Sequence, residues 1–436
     1  MVYLSGHSRG RAHAGVFSCL LALGLAWVLV LSGCTPPNTS GSSSASNGSA
    51  SSSNASSAST SNTSASSADS ANSASSADSS SAASAVSAAD VDVAATFPSW
   101  NRKSSSLKQL IAFVASVTDK SSEDYVPPED RIATFDMDGT IICEKAPVYV
   151  DYMMLLHRVL DNPSYNEEGY KPSEETKKIC QGIRDTVMAG EKYSSEQSAD
   201  KARLIASEFA GMTCEEFRLW VQSFARSQQA VGFSGMTYAE SFYKPMLEVM
   251  DFLRANDFDI WMVSACEREV VRGLVPLAFY VPYDHIIGTD VGYNTTSQGS
   301  ASGDEYNMGL GENILLGTPL GEETGKANKS IAIMREIGKR PILAFGNSSG
   351  DYSMLNYAQS NPDHKGMGVL VLCDDTNREY GDLDRAAEQT EEAEKNGWTL
   401  FHMSTKDWDT IYDEKVVKTE LPGANADANA ELAAAA

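Results

Sequence analysis

Residues 131–140 read Arg131-Ile132-Ala133-Thr134-Phe135-Asp136-Met137-Asp138-Gly139-Thr140, and this stretch decides the fold. Arg131 to Phe135 is a compact, β-prone run, the pattern of a buried strand. It ends directly on two aspartates and a glycine. The carboxylates are thereby expected at the carboxyl end of a buried strand, where open α/β sheets bind their ligands.

Working outward, Leu107, Ile111, Val114 and Val117 have helical spacing up to the break at Pro127-Pro128. From about 144 to 243 the pattern is mostly helical, with start signals at Ser173-Glu174-Glu175 and Thr213-Cys214-Glu215-Glu216. Phe217, Trp220, Val221 and Phe224 form an i, i+3, i+4, i+7 stripe that reads as core. Pro245 then opens a helix through Leu253, and Phe258 to Ser264 reads as a strand. A helix over Ile331 to Ile337 and strands over Pro341 to Phe345 and Val369 to Cys373 continue the alternation. Such alternation implies an α/β fold, a doubly wound, mostly parallel, Rossmann-like sheet. The helical stretch at 144–243 becomes an inserted cap.

The flanks are of another kind. Arg9 and Arg11 precede a predominantly apolar run over residues 16–31, which ends at Leu31-Ser32-Gly33-Cys34. This is secretory-signal architecture. The last four residues resemble the lipobox of bacterial lipoproteins, so residues 1–34 are expected to be a leader with Cys34 lipidated. The protein would then be exported and lipid-anchored to the outer face of the bacterial cell membrane. Residues 35–92 are almost entirely Ser, Ala, Asn and Gly, too polar to offset chain entropy, and read as a disordered tether. The folded body is expected over 93–418, with a disordered acidic, Ala-rich tail over 419–436.

A formal net charge of −24 argues against nucleic acid as a partner and favours small soluble ligands. The seven cysteines show no CxxC pair, so no structural zinc site is expected. Cys143, Cys180, Cys214, Cys266 and Cys373 read mainly as small packed residues. The scattered histidines give no basis for a histidine phosphatase.

Two carboxylates on a tight turn after a strand can divide the labour of phosphoryl transfer. Asp136 can attack phosphorus, and Asp138 can protonate the leaving oxygen and later take a proton from water. Gly139 lets the backbone turn close to a ligand, and Thr140 offers donors to phosphate. The plain alternative is an ordinary Asp-Gly turn. Ser264, at the end of an apolar strand, can hold a phosphate oxygen or simply cap the helix after it. Lys329 can offset the nucleophile and the phosphoryl group, with Lys326 as its competitor in a poor Walker-like context. Gly346-Asn347-Ser348-Ser349-Gly350-Asp351 follows a strand and supplies further oxygens, a spread that suits Mg²⁺.

These four elements in this order resemble the haloacid dehalogenase (HAD) superfamily of phosphohydrolases, from about Pro98 to Tyr412. The segments Ile132 to Lys145, Lys244 to Ser264, Arg340 to Leu355 and Leu372 to Trp408 resemble its phosphoserine-phosphatase-like bacterial subfamily. The resemblance implies Asp136 as nucleophile, Asp138 as general acid/base with its carbonyl on the metal, Ser264 and Lys329 on phosphate, and Asp351 on Mg²⁺ or orienting Lys329. The metal set is then Asp136, Asp138, Asp351 and Asn347, the last standing where many members carry Asp. Dehalogenases lack the second aspartate, so phosphoryl transfer is favoured. Glu144 is a candidate contact to a substrate amine, or else a salt-bridging residue at the start of the cap. The expectation is a Mg²⁺-dependent phosphomonoesterase acting on a small phosphorylated metabolite. Transfer to an acceptor other than water, as in a phosphotransferase or mutase, and a catalytically weak ligand-binding lipoprotein are the alternatives.

Overall fold

The computed structural model of the protein describes residues 91–161 and 170–423. The expected leader, Cys34 and nearly all of the tether lie outside them, as does the tail from 424 on. No helix among the described residues is long and apolar enough to cross a membrane.

The chain opens with helices α1 (Val93–Thr96) and α2 (Ser105–Thr118), the latter capped by Ser104 Oγ accepting the Leu107 N–H at 3.0 Å. Strand β1 (Ile132–Phe135) is followed by helices α3 (Val150–Leu156), α4 (Glu174–Met188), α5 (Ser195–Ser207) and α6 (Cys214–Ser227), then by the two-residue strand β2 (Phe233–Ser234). The chain returns through α7 (Lys244–Ala255), β3 (Asp259–Glu267), α8 (Arg268–Leu274) and β4 (Ile286–Thr289). Next come the antiparallel pair β5 (Val291–Thr295) and β6 (Ile314–Leu320), then α9 (Ala327–Glu336), β7 (Leu343–Gly346) and α10 (Tyr352–Gln359). It closes with β8 (Met367–Leu372), α11 (Leu383–Asn396), β9 (Thr399–His402) and β10 (Val417–Lys418).

Six of these strands form one sheet in the order β4-β3-β1-β7-β8-β9, parallel throughout. Its side chains alternate between two apolar clusters. Ile260, Met262, Leu343, Phe345, Val369 and Val371 join one, and Trp261, Val263, Ala344, Leu370 and Leu372 the other. Both faces are therefore covered, as a parallel sheet requires. From β1 the chain winds outward to β3 and β4, then returns to β7 on the other side of β1. The turns after β1 and β7 thus face each other across the point where the winding reverses, which is where ligands bind in such sheets.

The capping box expected at Thr213 forms, with Glu216 N–H on Thr213 Oγ1 at 3.1 Å and Thr213 N–H on Glu216 Oε2 at 2.9 Å. The stripe Phe217, Trp220, Val221 and Phe224 is buried. Strand β3 runs three residues past the expected end at Ser264, through a register shift between Val263 and Glu267. The β5–β6 pair has no counterpart among the sequence expectations: Asn294, Gly317 and Pro319 break the apolar periodicity that would have marked two strands. The five described cysteines are free thiols.

Candidate active site

The turn after β1 fixes the first carboxylate. Asp136 gives its backbone N–H to Phe345 O at 3.0 Å, and the rings of Phe135 and Phe345 stack at 4.3 Å beneath it. β1 and β7 are thereby locked together at the point of reversal. The chain then folds back, with Ile141 N–H on Met137 O at 2.9 Å and Gly139 N–H on Ile142 O at 2.8 Å. Gly139 holds φ +77°, and a Cβ there would lie 1.9 Å from Asn347 Nδ2. Only glycine lets the turns after β1 and β7 approach this closely.

Lys329, on the first turn of α9, is buried beneath these turns. Its ammonium meets Asp136 Oδ1 at 2.5 Å, Asp351 Oδ1 at 2.8 Å and Val263 O at 2.6 Å, one acceptor for each hydrogen. The other Asp136 oxygen accepts the Thr140 hydroxyl at 3.1 Å. Asp351 Oδ2 accepts Asn347 N–H at 3.0 Å, Ser348 N–H at 2.9 Å and Ser348 Oγ at 3.1 Å, so it holds the β7 turn and Lys329 together. Lys326, the competing lysine, is exposed at the rim and gives its backbone N–H to Gly350 O at 2.7 Å.

Two carboxylates share this one ammonium. Burial and the neighbouring Asp351 push Asp136 up to about 7, with Lys329 pulling the other way. For Lys329 burial opposes the charge, but Asp136 and Asp351 outweigh it and raise the pKa. Asp138 differs. Its Oδ1 is covered and has no hydrogen-bond partner, and burial, then the charges of Asp151, Asp136 and Glu144, hold its carboxyl well above the ordinary range. The pair therefore comprises one carboxyl gripped by a cation and one, without a hydrogen-bonded cation, whose hold on a proton is strengthened by burial. This is the division a nucleophile and a general acid require.

Ser264 is 1% exposed, and its Oγ accepts the Cys266 N–H at 3.1 Å. It does not cap α8, since Glu267 does so through its Oε2 and the Val270 N–H at 2.8 Å. Asp136, Asp138, Ser264, Lys329, Asn347 and Asp351 all line one cavity of about 540 Å³. Thr140 stands behind Asp136 rather than on that surface.

Glu144 takes the salt-bridging place of its two readings. Both its oxygens meet Arg385 Nη1 at 3.1 Å, and it also accepts Asn347 Nδ2 at 3.2 Å and Tyr149 Oη at 3.1 Å. It lines a neighbouring cavity on the far side of Tyr149. Arg385 and Gln389 on α11 also give hydrogens to Asn347 O, at 3.2 and 2.6 Å. Sequence reading missed both. The signal was present as an i, i+4 pair on a face with Ala386 and Ala393, a buried polar residue on an apolar stripe. It also missed Asp151 and Lys201, which line the same cavity as Asp136 from α3 and α5.

Among the described residues no three His, Cys, Asp or Glu side chains gather as a metal cage. A small hard cation that keeps several waters needs fewer. Asp136, the Asp138 carbonyl and the Asn347 amide are hard oxygen donors beside a net negative charge, so the donor set fits Mg²⁺. Asp351, with Oδ1 on Lys329 and Oδ2 holding the Asn347 and Ser348 N–H groups, fits the orienting role.

Solved structures of similar fold include a protein of unknown function from Bordetella pertussis Tohama I, 15% identical, TM-score 0.38, covering 62% of this chain and 97% of the other. Cytosolic 5′-nucleotidase IIIB bound to cytidine is 11% identical, TM-score 0.38, over 69% and 88%. A phosphoserine phosphohydrolase-like protein from Francisella tularensis subsp. tularensis SCHU S4 is 14% identical, TM-score 0.29, over 56% and 87%. No curated protein matches the chain. The family profile of haloacid dehalogenase-like hydrolases matches residues 133–356, just over half of the chain, and the chain belongs to that family.

Proposed function

We propose that the protein is a Mg²⁺-dependent phosphomonoesterase that works through an aspartyl-phosphate on Asp136 and acts on a small phosphorylated metabolite. The observation that carries this reading is the contrast within one cavity between Asp136, gripped by Lys329 at 2.5 Å, and Asp138, whose covered Oδ1 has no hydrogen-bond partner. An Asp136 oxygen attacks phosphorus as the bond to the leaving oxygen breaks, and Asp138 gives that oxygen its proton. Asp138 then takes a proton from water, whose oxygen bonds to phosphorus while the Asp136–phosphorus bond breaks. Ser264 can give its hydroxyl hydrogen to a phosphoryl oxygen, the charge of Lys329 offsets that on Asp136 as the phosphoryl group approaches, and Thr140 orients the nucleophile. Mg²⁺, held by Asp136, the Asp138 carbonyl and Asn347, would neutralise phosphoryl charge as the group is transferred. The helical insertion serves as the cap that keeps bulk water out.

The same reading places the enzyme outside the cytoplasmic membrane, tethered by lipid on Cys34. The test is phosphate release from a broad phosphomonoester panel with Mg²⁺, with and without chelator. Release that chelation abolishes supports the reading. No release across the panel overturns it and leaves the chain as a ligand-binding protein.

A further inference from the structure

Of the proposed metal donors, Asn347 alone has a side chain that can present either a nitrogen or an oxygen to the cavity it lines. The two ends of an amide are nearly isosteric and are told apart by their partners. Here the partner is Glu144. Asn347 Nδ2 donates to Glu144 Oε2 at 3.2 Å, and both Glu144 oxygens accept from Arg385 Nη1 at 3.1 Å. A carboxylate paired with a guanidinium only accepts, so it takes the nitrogen end of the amide and turns Oδ1 away from itself. The backbone of Asn347 is held as well. Arg385 Nη2 and Gln389 Nε2 give hydrogens to its carbonyl at 3.2 and 2.6 Å, and its N–H goes to Asp351 Oδ2 at 3.0 Å. Glu144 is itself fixed, with Tyr149 Oη on Oε1 at 3.1 Å and the adjacent Cys143 N–H on Ser241 O at 2.9 Å. Every polar group of Asn347 is thereby engaged except Oδ1, which takes no hydrogen bond among the described residues and, unlike Asp138 Oδ1, is not covered.

We propose that Glu144, held by Arg385, is a positioning residue for the metal: it orients the Asn347 amide so that the oxygen and not the nitrogen faces Mg²⁺. Arg385 and Gln389 fix the turn that carries that amide. This rests on the Mg²⁺-dependent reading above. Glu144 then serves neither as a contact to a substrate amine nor as a simple salt bridge, and it lines the neighbouring cavity of about 710 Å³ rather than the one that holds Asp136. The same contact gives a reason for an amide at position 347. A second carboxylate there would stand about as close to Glu144 as the 3.2 Å that separates the amide from it now, and two carboxylates at that distance repel unless one binds a proton. A neutral amide donates to Glu144 with one end and offers the metal an oxygen with the other. Outer partners of this kind orient a metal ligand and typically account for about 10–100-fold in metal affinity.

The experiment is calorimetric titration of the full chain with MgCl₂ in the absence of substrate, so that the readout is affinity rather than turnover. Glu144→Gln gives the Asn347 amide a partner that can donate as well as accept, and should weaken Mg²⁺ binding by about 10–100-fold. In an Asn347→Asp background the same change should act the other way and strengthen binding, because a glutamine amide relieves the contact of two carboxylates and can donate to one of them. That reversal of sign separates orientation from mere loss of negative charge, which would weaken binding in both backgrounds. Gln389→Leu, which leaves the Glu144–Arg385 pair whole, should weaken binding severalfold and serves where Glu144→Gln does not fold. Unchanged affinity in Glu144→Gln, or in Gln389→Leu where the former does not fold, overturns the positioning role while the phosphatase reading stands, even if the melting temperature falls. Weakening by Glu144→Gln in both backgrounds reduces Glu144 to a nearby charge and likewise overturns it. No Mg²⁺ binding by the wild-type chain, together with phosphate release that chelation leaves intact, overturns the Mg²⁺ reading and this inference with it.

Discussion

On the sheet side of the catalytic cavity, Lys329 gives its three ammonium hydrogens to Asp136, Asp351 and Val263, and Asp351 Oδ2 takes three donors from the β7 turn. On the helical side, Asp151 has one oxygen on Lys201 and the other covered and unpartnered. Asp138, between the two walls, is also left with an unpartnered oxygen. One wall is satisfied within the protein, and the other keeps an unpartnered oxygen. A satisfied network resists rearrangement and positions a reacting group, whereas an unfilled valence in a cavity gives selectivity, because only some partners fill it. In the proposed enzyme, the nucleophile belongs to the first wall.

The hardest test of that division is Asp136→Asn. An amide cannot form the acyl-phosphate, so phosphate release should fall by roughly ten-thousand-fold or more, as loss of a nucleophile does elsewhere. Appreciable turnover by this variant would break the mechanism. Stability separates the walls next. Lys329→Met strands two buried carboxylates and should lower unfolding free energy by about 3–5 kcal/mol in denaturant titration. Asp151→Leu/Lys201→Met removes both partners of a pair and should change it by less than about 1 kcal/mol. Equal losses would mean that the two walls are built alike.

Gly139→Ala probes the approach of the β1 and β7 turns. With φ +77° and a Cβ position 1.9 Å from Asn347 Nδ2, it should cost about 1–3 kcal/mol, read from the thermal midpoint. A last test, made with pH, concerns an unpartnered oxygen outside the cavity. Glu267 Oε1 is covered at the start of α8, and burial pushes this carboxyl up to about 8 from an ordinary 4.5. A raised carboxyl stabilises the fold fully below its unfolded value and loses that contribution as pH rises through the folded one. The melting temperature should therefore fall between about pH 5 and pH 9, and the fall should be shallower in Glu267→Gln. An identical slope in the variant would remove Glu267 as the cause.

Much of the sheet-side wall of this cavity was legible in the chain. Asp136 and Asp138 sit where a strand-then-Asp-x-Asp-Gly pattern places them. Ser264, Lys329 and Asp351 likewise fall at the ends of β-prone runs or the start of a helix, positions that local pattern and family resemblance together mark out. Glu144 was legible only as a pair of alternatives. The outer strand β9 was missed for a physical reason: it is only partly buried along its length and lacks a continuous apolar run.

The sequence by itself determined the alternation that makes a parallel sheet, the strand end that carries both aspartates, and a glycine after them, because each of these is written within a few neighbouring residues. Only the tertiary structure decided that a Cβ at Gly139 would strike Asn347, that Arg385 and Gln389 hold the Asn347 carbonyl, and that Asp151 and Lys201 meet across two helices. Those contacts join residues from about 40 to over 200 positions apart, and no local periodicity records which distant faces packing will bring together.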